Sequence, residues 1–129
     1  MVGLTSSDRE RLERARQAVR DIGAAALRSN QGRVDALTEA VDAADRGGLS
    51  ADERAAAAAV AHQLVGSAGT FGYARVSRLA RQLEHFLGAD PSDPADPDPA
   101  RPHLMDPEAA RAALGDIRRD LRRDPDDED

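Results

Sequence analysis

Apolar side chains recur along this chain at steps of three and four, the spacing that lines one face of an α-helix. Leu12, Ala15, Val19, Ile22 and Ala26 form the first stripe, and Ser7 and Glu10 ahead of it fit a capping box, so a helix is expected over 7–28. Ser29-Asn30-Gln31-Gly32 is turn chemistry with Asn30 as an N-cap. Val34, Leu37, Val41 and Ala44 then predict a second helix over 31–46, ending at Gly47-Gly48. Ser50 and Glu53 make another capping box for a third helix over 51–70, whose buried stripe is Ala57, Ala61, Leu64, Ala68 and Phe71. Val76, Leu79, Ala80, Leu83, Phe86 and Leu87 predict a fourth over 73–87. Asp106 and Pro107, a cap followed by a first-turn proline, open a fifth over 107–123 on Ala110, Leu114, Ile117 and Leu121.

The segment 88–105 reads differently. GADPSDPADPDPARP holds five of the seven prolines among repeated aspartates, which excludes both helix and strand pairing. It is expected to be a long exposed connection, and the acidic tail 124–129 to fray. Short turns between amphipathic helices predict antiparallel neighbours. The fold class is therefore all-α, a four-helix up-down bundle of the second to fifth helices with the first packed across or along one end, and the whole chain 1–129 one domain.

Composition agrees with that class. The 129 residues are 40% hydrophobic yet hold three aromatics, Phe71, Tyr73 and Phe86, so the core must be Ala, Leu, Val and Ile in close helix packing. No cysteine is present, which excludes a disulfide framework and a thiolate metal site. The apolar run Ala55–Ala61 is too short to span a membrane and residues 1–10 lack a signal-peptide layout, so the expected location is cytoplasmic. Net charge is −6, and the excess acid lies from Gly88 onward, which argues against nucleic acid as partner.

One stretch carries chemistry. His62 stands in a helical pattern with Ala58 a turn before it and Gly66 a turn after it, so one large side chain sits in a clearing of small ones. An interior helical glycine costs about 0.5–1 kcal/mol against alanine, and close approach by another molecule is one reason to accept that cost. A lone histidine beside an apolar stripe is more often structural than reactive. Glycine at +4, small residues at +5 and +6 and the glycine-rich turn beyond favour the reactive reading, whose alternatives are a plain helical scaffold and a module that only binds its partner.

The run His62-x-Leu64-x-Gly66-Ser67-Ala68, then Gly69-Thr70-Phe71-Gly72-Tyr73, then Leu79, Leu83 and Glu84, resembles the histidine phosphotransfer (HPt) family, especially the modules of chemotaxis kinases and of some response regulators. The resemblance implies a phosphorelay carrier, with His62 as phosphoacceptor, Glu84 as the acceptor that orients and activates its ring, and Gly66, Ser67 and Gly69 as the ground on which a partner docks. It also implies partners, namely response-regulator receiver domains or a sensor histidine kinase. No cofactor of its own is expected, Mg²⁺ belonging to the partner receiver, and no nucleotide-binding loop is present. Where the family usually has lysine three residues after the histidine, this chain has Val65, and it contains no lysine at all. Arg81, on the Glu84 side of its helix, is the candidate phosphate-binding cation in its place. His85 and His103 fit no metal-ligand spacing, and no metal site is expected.

Overall fold

A computed structural model of the protein describes residues 3, 5–88 and 105–123. Among them are four helices and no strand: α1 (Ser6–Asp45), α2 (Ala51–Thr70), α3 (Ala74–Gly88) and α4 (Pro107–Leu121). Each neighbours two others in a closed up-down bundle, α1 against α2 and α4, and α3 against α2 and α4. Its interior is built from Val34, Leu37 and Val41, Ala57, Ala61 and Leu64, Val76, Ala80 and Leu83, and Ala110, Leu114 and Ile117. These are the stripes the spacing predicts for the second to fifth helices.

The first two predicted helices are one. α1 runs 40 residues without interruption, about 60 Å at 1.5 Å per residue. Ser29 to Gly32 do not turn. Asn30, expected as an N-cap, is 2% exposed; its amide donates to Ser67 Oγ at 3.1 Å, and Arg33 donates to its carbonyl oxygen at 2.7 Å. A tertiary partner thus satisfies the polar side chain that would otherwise compete for the local backbone. Helix 1 therefore does not pack across the bundle end. It extends the first bundle helix, and Leu12, Val19 and Ile22 are 40, 68 and 58% exposed. Its cap also lies one residue pair earlier than expected: Thr5 Oγ1 accepts from the Asp8 N–H at 3.0 Å, and the Asp8 carboxylate accepts from the Thr5 N–H.

Glycine closes both α1 and α2. Gly47 and Gly72 have φ of 71° and 88°, the left-handed region that other residues avoid. The N–H of Gly48 reaches Ala43 O at 2.9 Å and that of Tyr73 reaches Ala68 O at 2.8 Å, the six-to-one bond of a Schellman ending. The Ser50–Glu53 box opens α2 as expected, and the two hydrogen bonds from Ser50 hold the Glu53 carboxyl below its ordinary range. Asp106 caps α4 by accepting from the Ala109 N–H at 2.7 Å. Phe71, expected in the core, is only half-buried. Expectations for the Pro/Asp-rich loop apart from Gly88 and Met105, for His103 and for the acidic tail lie outside the described residues. Gly88 is the last residue of α3, and Met105 packs against the core.

Arginine ties α4 in place. Arg111 reaches Asp42 and Asp45 at 3.0 and 2.7 Å, and Arg118 reaches Asp35 at 2.7 Å, so α4 runs antiparallel to α1. Arg75 of α3 pairs with Asp116 at 3.2 Å and with buried Asp120 at 3.4 Å. The two carboxylates hold Arg111 above its ordinary pKa.

Candidate functional site

The α2–α3 contact is made close by small side chains. Ala61, Ala68 and Ala80 are buried within it, and a Cβ at Gly69 would lie 3.6 Å from Ser77 Oγ. Ser77 Oγ donates to Val65 O at 2.9 Å, and Arg54 donates to the carbonyls of Phe86 and Leu87 at 3.2 and 3.3 Å. The two helices are thus pinned on either side of the level where His62 and Glu84 stand. Arg54 went unremarked in the sequence, although it lies eight residues before His62, within 100° of it around the same helix.

At that level the geometry is simple. The His62 side chain is 76% exposed, and its Nδ1 lies 3.0 Å from both carboxylate oxygens of Glu84, itself 28% exposed. A carboxylate can only accept, so the neutral ring facing it carries its proton on Nδ1 and presents the lone pair of Nε2. Beside the ring, a Cβ built on Gly66 would meet nothing within 4 Å, so the clearing on that side is open.

Other expected members are placed differently. Ser67 is five residues from His62, about 140° around the helix, and its hydroxyl accepts from Asn30 of α1. It belongs to the α1–α2 seam and not to the ground beside the histidine. Gly69 shares the His62 side of α2 and closes onto Ser77 of α3. Gly72 ends the helix, so part of the glycine-rich turn has a backbone reason. Val65 is half-buried against the core. Arg81, one turn before Glu84, is exposed and makes no hydrogen bond or ion pair to any described residue. His85 is exposed in the last turn of α3. No group of three or more metal-ligating side chains occurs among the described residues.

A family model described as the Hpt domain matches residues 5–120. The chain belongs to the histidine phosphotransfer (Hpt) family. The match takes in α1 with its extended part, α2, α3 and all of α4 but Leu121. Hpt domains are phosphoryl carriers of phosphorelays and not kinases, and they work with receiver domains and kinases of two-component systems. No curated protein matches the chain, and no solved structure does. None of the helices among the described residues is long and apolar enough to cross a membrane.

Proposed function

We propose that this Hpt domain carries its phosphoryl group on Nε2 of His62, exchanging it with the phospho-aspartate of a receiver domain. The observation that carries the reading is the exposed ring whose Nδ1 lies 3.0 Å from Glu84. In the forward step the Nε2 lone pair attacks phosphorus, the P–N bond forms, and the P–O bond to the receiver's aspartate breaks with its electron pair returning to that carboxylate. The ring, still protonated at Nδ1, gains positive charge, which the Glu84 carboxylate offsets. Transfer onward is the same step reversed on a second receiver.

Gly66 gives the partner its approach, and Arg81, exposed one turn from Glu84, is the candidate on α3 for a phosphate oxygen. Mg²⁺ is supplied with the receiver, and the Hpt domain adds no metal or nucleotide of its own. The exchange would take place in the cytoplasm. Incubating the protein with phosphorylated receivers of its own organism tests the reading: acid-labile phosphate should move to the wild-type chain and not to His62→Gln. Val65 supports one second reading, a receiver-binding module that sequesters its partner, because the residue three after the histidine brings no cation. That reading requires receiver binding with no phosphate uptake.

A further inference from the structure

The extended part of α1 presents an amphipathic face with nothing on it. Leu12, Ala15, Val19, Ile22 and Ala26 lie along one side over about two turns on each side of Ala18, and the three large ones are exposed. Arginines flank this stripe: Arg11 on one edge, Arg9 and Arg16 on the other. Their side chains make no hydrogen bond or ion pair to any described residue, whereas Arg20, further round, is paired with Glu13 at 3.0 Å. An exposed apolar stripe rimmed by charge along a helix is the kind of surface that a partner covers.

A surface of opposite character lies on the bundle itself. Between α1 and α2 runs an open groove of about 700 Å³, its floor formed by Ala36, Ala40, Ala43, Leu49, Ala56 and Val60. Its charged rim is Glu39, Asp42 and Glu53 against a single Arg46. Asp42 is shared with Arg111, and Glu53 with the Ser50 cap, while Glu39 makes no hydrogen bond or ion pair to any described residue. The small side chains of the floor let another helix approach closely. The groove side contributed by α1 and its C-cap, from Ala36 to Arg46, spans ten residue steps, and so does the stripe from Leu12 to Ile22, each about 15 Å at 1.5 Å per residue.

We propose that the extended part of α1 of one copy seats in the α1–α2 groove of a second copy. Stripe and groove match in length and apolar character, and their charges are opposite in sign. They lie on the same uninterrupted helix, so a chain cannot bring its own stripe to its own groove. Stripe-to-stripe pairing of two copies is disfavoured instead, because in either direction it sets arginine edges against arginine edges. Val60 on the groove floor is two residues from His62, about 200° around α2, so occupation of the groove leaves the histidine face free.

Sedimentation velocity of the full chain over a concentration series tests this. The wild type should self-associate, more weakly at high salt. Val19→Asp, which alters an exposed side chain, should remain helical by circular dichroism, weaken association at least tenfold and leave phosphoryl uptake by His62 unchanged. Arg11→Glu/Arg16→Glu and Glu39→Arg should each be monomeric alone. Mixed, they should associate, since the wild-type arginine stripe then meets the acidic groove, and the acidified stripe meets the groove whose rim has exchanged Glu39 for arginine. A monomeric wild type at all concentrations would overturn the proposal. So would a dimer lost in Val19→Asp but kept in Glu39→Arg, which is stripe pairing with stripe, or two charge variants that stay monomeric when mixed.

Discussion

Replacing Glu84 by alanine removes the one hydrogen-bond partner of the His62 ring among the described residues. A hydrogen bond to a charged group is worth about 1.5–3 kcal/mol net, but here the ring is 76% exposed, and solvent screening lowers that figure. The interaction strengthens as the ring becomes cationic on phosphoryl attack, so about 1–2 kcal/mol should appear in the transition state. At about 1.4 kcal/mol per tenfold, the rate of phosphoryl uptake should fall about 5- to 30-fold. Stability should hardly change, because an exposed ion pair contributes less than about 1 kcal/mol. Glu84→Gln keeps an oxygen that accepts from Nδ1–H and loses only the charge, so its rate should fall between those of Glu84→Ala and the wild type. The assay is single-turnover transfer of labelled phosphate from one phosphorylated receiver to the three proteins, with thermal unfolding followed in parallel. Equal rates for wild type and a folded Glu84→Ala would refute the orienting role, whatever the distance between the side chains.

Gly66→Gln should fold normally, since nothing stands within 4 Å of its Cβ and glutamine is the better helix former, yet it should slow transfer at least tenfold by filling the clearing; an unchanged rate would remove Gly66 from the docking surface. Val65→Lys should raise the rate or extent of phosphorylation. A cation ~4 Å from the phosphoryl group at an effective dielectric of 20 is worth up to ~4 kcal/mol before screening, and the stem can lie along the core contact Val65 now makes. Arg81→Ala, measured alongside, should lower transfer; equality with wild type would show that α3 supplies no phosphate cation. Gly32→Ala should stabilise the fold by about 0.5–1 kcal/mol in urea unfolding, because Gly32 is helical and a Cβ there meets nothing; a loss of stability would mean that α1 turns there after all.

What could be read from the sequence follows from what is local. The stripes of α2, α3, α4 and the bundle part of α1 were legible because each is a repeated 3-4 spacing, and the capping box at Ser50 because it is closed within four residues. The break at Ser29–Gly32 was misread because its composition favours a turn, whereas the deciding contact, Asn30 with Ser67, spans 37 residues of sequence. Once Asn30 is satisfied, Leu27 on one side and Val34 and Leu37 on the other pack against the core and carry the helix through. Periodicity likewise shows that Leu12, Val19 and Ile22 share a face but not where a partner for it lies. At the site, His62 and Glu84 come together across 22 residues because α2 and α3 are antiparallel and closely packed. Nearness in sequence groups Ser67 with the clearing; 100° per residue turns it to α1 instead.

The central claim is that phosphate resides on Nε2 of His62, and nitrogen-15 NMR of the histidine-labelled protein, phosphorylated by a receiver, tests it most directly. The account expects a phosphorus coupling at Nε2 of one imidazole, absent in His62→Gln, with Nδ1 of the same ring remaining protonated. A phosphorus coupling at Nδ1, or one that persists in His62→Gln and so belongs to His85 or His103, would contradict it.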